Sequence, residues 1–222
     1  MKLVNSYYGL EIQLDENNIT VLVVENASTM SKIVYDLINQ CRGLEGNFVL
    51  SENKILKMDK ESEIIVNPFQ LDFSNKKILN ALYSEMTATA MDYEVDKAKL
   101  NSELIELLDN ITINQSYSGI CYSLDWEWAS LFKMYNVHLD DDYEDLITKI
   151  TEYTKVLSCL CHIRLLFLVN IKSFLTVEEL QALYLCAQHN KINLILLESS
   201  EVEKNDRENI IILDKDDCLI VK

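Results

Sequence analysis

The stretch VLVVENASTMSKIV (residues 21–34) joins an apolar run, Ile19–Val24, to a segment with helical periodicity. A short apolar run without alternation is typical of a strand buried on both faces. Asn26 or Ser28 can cap the following helix, and Gly43 stands just beyond its end. The apolar stripe of that helix consists of Ile33, Val34, Leu37, Ile38 and Cys41. The stretch therefore predicts a strand followed by a crossover helix.

Apolar runs of the same kind recur toward the C-terminus. They are Ile163–Val169, Ile192–Leu197, Ile210–Leu213 and Cys218–Val221. Between the first two runs, Thr176 and Glu179 have the spacing of a capping box. Leu180, Leu183, Tyr184 and Ala187 follow on one helical face. Both ends of the chain are therefore predicted to share one α/β fold with a mainly parallel sheet.

The middle of the chain has a different pattern. Residues 75–111 and 142–161 are long amphipathic segments, the second with Leu146, Ile150, Tyr153, Leu157 and Leu160 at spacings of four and three. We predict an α/β domain of residues 1–74 and 162–222 and an inserted α-helical subdomain of residues 75–161. Such helices commonly pack on each other within one chain, and packing against a partner chain is the alternative.

Composition limits the class of protein. A chain of 222 residues with 49% hydrophobic content can bury a full core, and one proline and four glycines are too few for flexible linkers. The sequence has no apolar stretch of the roughly 18 residues needed to cross a membrane, so we expect a cytoplasmic protein. The six cysteines are scattered through apolar surroundings, which predicts buried, reduced thiols.

The net charge of −16 argues against nucleic acid as a partner, because binding to phosphates needs lysines and arginines. The charge is uneven, however. Residues 92–147 hold thirteen Asp and Glu against three Lys, whereas residues 52–80 hold five of each kind. A basic face can therefore survive locally. Its candidates are Lys54, Lys57, Lys60, Lys76 and Lys77. The alternative is a solvated edge that lysine keeps soluble.

The turn after the first strand occupies the place of a phosphate loop. A P-loop requires glycines so that successive N–H groups can face the phosphate, but this turn is Asn26–Ala27–Ser28–Thr29. We therefore do not expect ATP hydrolysis, and Lys32 is interpreted as a surface lysine.

Asp125 and Glu127 alternate with Trp126 and Trp128. In an extended segment the two carboxylates would share one face, and such a pair suits calcium, which takes six to eight oxygen ligands in flexible geometry. The alternative is that Asp125 caps a helix whose apolar face includes Trp128. A helix N-terminus repels a cation, so one residue is poorly suited to both roles.

Three stretches together resemble a known family, the DNA-end-binding ring proteins of type II-A CRISPR adaptation modules. They are residues 21–34, residues 60–86 (KESEIIVNPFQLDFSNKKILNALYSEM) and residues 165–198 (LLFLVNIKSFLTVEELQALYLCAQHNKINLILLE). The resemblance implies a compact head, similar to a P-loop ATPase core without the P-loop, and a helical leg. It also implies a homotetramer that closes around duplex DNA.

The resemblance gives the candidate residues their roles. It implies that the five lysines contact phosphate in the channel of the ring and that Asp125 and Glu127 bind calcium. It further implies a non-catalytic protein that binds free DNA ends, with the CRISPR integrase complex and the effector nuclease of the same system as partners. Two alternatives from other classes are a degenerate nucleotide-binding enzyme and an acidic protein–protein scaffold.

Overall fold

A computed structural model describes residues 1–15, 19–201 and 203–221 of the chain. The described strands are β1 (Lys2–Asn5), β2 (Leu10–Gln13), β3 (Ile19–Val24), β4 (Phe48–Ser51), β5 (Ile55–Leu56), β6 (Ser62–Ile65), β7 (Leu165–Val169), β8 (Asn193–Glu198), β9 (Glu208–Leu213) and β10 (Leu219–Val221). The described helices are α1 (Ala27–Cys41), α2 (Met58–Glu61), α3 (Lys76–Ala90), α4 (Glu94–Ile113), α5 (Trp128–Met134), α6 (Leu146–Cys159) and α7 (Val177–His189).

The chain forms two compact units. The first comprises Met1–Asp72 and the chain from Asp141 onward, and the second comprises Phe73–Asp140. All the strands named above belong to the first unit, whereas α3, α4 and α5 belong to the second.

The main sheet of the first unit has the strand order β10-β9-β3-β8-β7-β6. Its neighbours pair in parallel from β9 to β6, and only the edge strand β10 is antiparallel. Every residue of β3, β7 and β8 is buried, which explains why their sequences are continuous apolar runs. The α/β class and the mainly parallel sheet are confirmed. The likeness to a P-loop ATPase core stays a prediction.

A second, antiparallel sheet has the order β2-β1-β4-β5. Its strands alternate between buried and less buried residues, with Leu3, Leu10, Ile12, Phe48 and Leu50 turned inward. These side chains share one core cluster with Ile33 and Leu37 of α1 and with the main sheet. The sequence analysis missed this sheet because strands of two to four residues give too short a pattern to recognise.

The predicted helix boundaries of α1 and α7 are confirmed. The Asn26 side chain caps α1, and Gly43, with φ of +83°, follows the C-cap residue Arg42. At the start of α7, the hydroxyl of Thr176 accepts from the Glu179 N–H and the Glu179 carboxylate accepts from the Thr176 N–H. This is the capping box that the spacing predicts.

The second unit is built around a small core. Tyr83 and Ala90 of α3 pack with Phe132 of α5, and none of the residues of α4, all of which are described, is buried. The sequence analysis grouped residues 142–161 with these helices, but α6 lies in the first unit and packs on α7. The leg subdomain stays a prediction, and its proposed range overlaps the first unit at α6.

Two further observations concern thiols and membranes. Only Cys41 is buried, whereas Cys121, Cys159 and Cys218 are exposed and Cys161 and Cys186 are intermediate, so the prediction of buried thiols was wrong for five of the six. These thiols lie in turns and near helix ends, where solvent reaches them.

Within the described ranges, no helix combines the length and apolarity required to cross a bilayer.

A buried polar network lies between α7 and the main sheet. The Lys172 ammonium is 2.7 Å from a carboxylate oxygen of Glu208, and the two side chains are 4% and 0% exposed. The Tyr184 hydroxyl donates to the other Glu208 oxygen at 2.6 Å. The Lys172 ammonium also donates to the backbone carbonyl of Glu203 at 3.1 Å. Burial without pairing would strongly disfavour these charges, so the network depends on all of its contacts.

Glu198, the last residue of β8, borders this network. It is 3% exposed, and its carboxylate accepts from the Lys172 backbone N–H at 3.2 Å. Burial raises the pKa of Glu198 to about 7 from its ordinary 4.5, although the N–H and the ammonium of Lys172 oppose the rise.

We predict that Glu198→Gln removes a pH dependence of stability. The folded protein keeps a proton on Glu198 that the unfolded chain releases, so the free energy of unfolding falls as pH rises from about 4.5 to about 7. The loss is at most about 3 kcal/mol. In urea titrations, the variant should therefore gain stability relative to the wild type at pH 8 but not at pH 4.5. Glu178→Gln, on the exposed face of α7, is the control. An equal difference at both pH values would contradict the prediction.

Candidate functional site

Three of the predicted DNA-binding lysines lie in one continuous stretch of the first unit, residues 52–61, called here the lysine segment. Lys54 lies in the turn between β4 and β5, Lys57 is the N-cap residue of α2, and Lys60 lies within α2. All three side chains are exposed. The three lysines do not share a helix face, because α2 begins only at Met58.

The lysine segment is nearly neutral by itself. The charges of its three lysines are balanced by those of Glu52, Asp59 and Glu61 in the same stretch. The Lys60 ammonium lies 3.8 Å from the Asp59 carboxylate. Within residues 1–15, 19–201 and 203–221, neither Lys54 nor Lys57 forms an ion pair. Two ammonium groups of the segment are therefore available to an anionic partner.

Arg164, which directly precedes β7, contacts both ends of the lysine segment. Its guanidinium lies 3.1 Å from a carboxylate oxygen of Glu52 and 3.1 Å from one of Glu61. Its backbone N–H donates to the Glu61 carbonyl at 2.9 Å. The sequence analysis did not single out Arg164, because one basic residue near the start of an apolar run gives no signal of its distant partners.

A cavity of about 650 Å³ opens beside Arg164, at the amino ends of β7 and β8. Its lining includes Gln13, Asp15, Glu52, His162, Arg164 and Lys191. The lining is of mixed charge, and its arginine is already engaged by two carboxylates. The cavity therefore does not define an anion site.

Lys76 and Lys77 belong to the second unit, where they open α3. The Asn75 side chain caps this helix by accepting from the backbone N–H groups of Lys77 and Ile78. Lys76 is exposed, and Lys77 is partly buried. These two lysines thus belong to a different unit from the lysine segment.

The position of a phosphate loop is filled by the chain itself. The Asn26 side-chain oxygen accepts from the backbone N–H groups of Ser28 and Thr29 at 3.0 and 3.3 Å. These are first-turn N–H groups of α1, which a bound phosphate would need. The Asn26 amide also donates to the Lys215 carbonyl at 3.1 Å, which fixes the side chain in this place.

Asp125 and Glu127 are both exposed and lie in the second unit before α5. Glu127, and not Asp125, is the N-cap residue of α5, and its side chain makes no capping hydrogen bond. The alternative role of Asp125 as a cap is therefore wrong, although the helix that it required is present.

The two indoles that alternate with these carboxylates in the sequence, Trp126 and Trp128, pack against α4. The Trp126 ring N–H donates to Asn101 at 2.7 Å, and the Trp128 ring N–H donates to Glu94 at 2.9 Å. The Lys97 ammonium lies 4.9 Å from the centre of the Trp126 ring and 5.8 Å from that of Trp128. Both indoles therefore hydrogen-bond to α4 through their ring N–H groups and make cation–π contacts with the same lysine.

Calcium binding at Asp125 and Glu127 remains a prediction. Two exposed carboxylates are suitable donors, but calcium takes six to eight oxygens. Throughout the described part of the chain, the structure brings together no group of three or more His, Cys, Asp or Glu side chains that could hold a metal ion. The two acids would therefore need backbone carbonyls or water to complete the coordination.

Fold and site together define an α/β protein whose phosphate-loop position is closed by its own asparagine and whose first unit presents exposed lysines. Residues 39–217 match the model of the family described as CRISPR-associated protein (Cas_Csn2). The chain belongs to this family, which confirms the resemblance seen in the sequence and gives the protein a role in CRISPR adaptation.

Proposed function

We propose that the protein binds the free ends of double-stranded DNA without reading sequence, as a calcium-stabilised homotetrameric ring that supports spacer acquisition. The observation that carries the proposal is the lysine segment, where Lys54 and Lys57 are exposed and unpaired within the described residues. Membership of the CRISPR-associated family supplies the biological setting. The integrase complex and the effector nuclease of the same system are the proposed protein partners.

In the proposed function the protein binds DNA without catalysing a reaction. The capping bonds from Asn26 occupy N–H groups that a nucleotide phosphate would require, which weighs against a degenerate nucleotide-binding enzyme. Phosphate contacts supply affinity but carry no sequence information. Selectivity for ends then comes from the closed ring, because a duplex can enter such a ring only through a free end.

The strongly acidic composition restricts how such a ring can be charged. With a net charge of −16 per chain, DNA is attracted only if basic residues face the channel and acidic residues face outward. We expect a tetramer in sedimentation, and labelled linear duplex should bind whereas covalently closed duplex should not. A monomer with and without calcium, or equal binding of the two DNA forms, would contradict the ring. An oligomer that binds neither form would indicate an acidic scaffold instead.

We predict that changing Lys54, Lys57 and Lys60 together to Glu abolishes duplex binding and leaves the oligomer intact. The three side chains are exposed, so the changes remove phosphate contacts without disturbing a core. Such contacts act as a summed electrostatic term, and the wild type should therefore lose affinity steeply between low and moderate salt. Fluorescence anisotropy with linear duplex at several salt concentrations measures both effects.

The matched control changes three exposed lysines elsewhere in the first unit, Lys32, Lys204 and Lys215, to Glu. It alters the net charge by the same amount. The control should bind duplex more tightly than the variant of the lysine segment. Equal affinity of the segment variant and the wild type would remove the lysine segment from the interface.

We predict that calcium raises both the melting temperature and the affinity for DNA. A ligand that binds only the folded ring stabilises it by about 2.7 kcal/mol at a hundredfold excess over its dissociation constant. Magnesium should act less well, because it requires stricter octahedral geometry and loses water reluctantly. Thermal unfolding with each ion, at matched ionic strength, measures the difference.

The variant Asp125→Asn with Glu127→Gln keeps the side-chain shapes and removes two charges, so it should lose the calcium-dependent rise in melting temperature. Asp96→Asn with Glu103→Gln, on the exposed surface of α4, gives the same change of charge as a control. If the first variant responds to calcium as the wild type does, the metal ligands lie elsewhere in the chain.

A further inference from the structure

The side chain of Arg164 joins two points that are nine residues apart in the lysine segment. Its Nε lies 3.1 Å from Glu61, and its Nη2 and Nη1 donate to one oxygen of Glu52 at 3.1 and 3.3 Å. The backbone N–H of Arg164 adds a bond to the Glu61 carbonyl at 2.9 Å. A planar guanidinium is suited to this role, because its donors point in fixed directions toward two carboxylates at once.

The rest of the lysine segment has few other anchors. Met58 is buried, and the Ser62 hydroxyl just beyond the segment donates to its carbonyl at 2.7 Å. Strand β5 pairs with β4 over only two residues. The Lys54 turn is closed by this ladder, by a hydrogen bond from the Glu52 N–H to the Lys54 carbonyl at 3.0 Å and by the contact of Arg164 with Glu52. Loss of the contact with Arg164 would therefore loosen the end of the segment that carries Lys54.

Charge gives Arg164 a second effect on the segment. Three lysines and three acids leave residues 52–61 without net charge, and the arginine adds one positive charge that Glu52 and Glu61 share. Two uncompensated carboxylates beside the lysines would repel DNA phosphates at distances shorter than the Debye length, about 8 Å at physiological salt. Arg164 therefore affects both the position of the lysines and the field around them.

We propose that Arg164 is a positioning residue of the DNA interface, which holds the lysine segment by Glu52 and Glu61 and keeps both carboxylates from opposing phosphate binding. This inference rests on the proposed function. Arg164 acts through the segment and does not itself contact DNA, because its guanidinium is already engaged by the two acids.

The effect on folding should be small, which allows the effect on DNA to be measured separately. Arg164 is 39% exposed, and its carboxylate partners are 45% and 25% exposed. Ion pairs this accessible contribute little to global stability. The variant Arg164→Gln should therefore stay folded and oligomeric, with faster amide hydrogen exchange confined to residues 52–61.

Arg164→Gln should bind linear duplex about fivefold more weakly, which corresponds to about 1 kcal/mol. The slope of log affinity against log salt should not change, because no phosphate contact is lost. Arg164→Lys keeps the charge but lacks the planar set of donors that engages both carboxylates. Its affinity for duplex should therefore lie between that of the wild type and that of Arg164→Gln. Adding Glu52→Gln and Glu61→Gln to Arg164→Gln should restore part of the affinity.

Arg42→Gln is the matched control, since Arg42 is exposed at the end of α1 and its loss changes the net charge equally. Affinity of Arg164→Gln equal to that of the control would overturn the inference. A salt slope reduced by about one would also overturn it, because Arg164 would then contact phosphate directly. If the wild type binds no duplex, the proposed function fails, and amide exchange in residues 52–61 still decides whether Arg164 holds the segment.

Discussion

The structure of the first unit depends on β3, the strand that lies between β8 and β9 in the main sheet. All six of its residues are buried, and it makes parallel ladders on both sides. A strand in this place has no free edge and no solvated face, which explains why five of its six residues are apolar. The turn that follows leads directly into α1, and this connection places Asn26 at the carboxyl end of the sheet. The remaining strands and helices of the unit are arranged around that element.

The same connection fills the turn that follows β3 with a side chain of the protein itself. In a nucleotide-binding fold, the turn after the central strand presents N–H groups to phosphate, and glycine makes this close approach feasible. Here a side chain with its own acceptor takes that place, and its amide is held by Lys215 from the start of the β9–β10 turn. The candidate interface lies instead on the lysine segment, which a separate pair of short strands and α2 build.

Acidic charge is the second constraint on the molecule. Nine acids against three lysines in residues 92–140 give this part of the second unit a negative charge that repels polyanions. One of those three lysines, Lys97, is engaged with two indoles and Glu94. In the first unit, Arg164 performs the corresponding local compensation for Glu52 and Glu61. The local charge at these places therefore depends on individual basic side chains and cannot be read from the net charge of the chain.

The sequence by itself indicated five of the six strands of the main sheet, both crossover helices and the cap at Thr176, because each depends on neighbouring residues and a regular period. It left the cap of α1 open between Asn26 and Ser28, and the apolar runs that predicted strands did not include β6. It also identified the family, whose model matches residues 39–217. Only the tertiary structure decided that α6 packs on α7, that five thiols are accessible, and that Glu198 is buried beside Lys172. It alone brought Arg164 to Glu52, 112 residues away in the chain. Contacts of that kind follow from how the strands are ordered in space, and no local pattern of residues records that order.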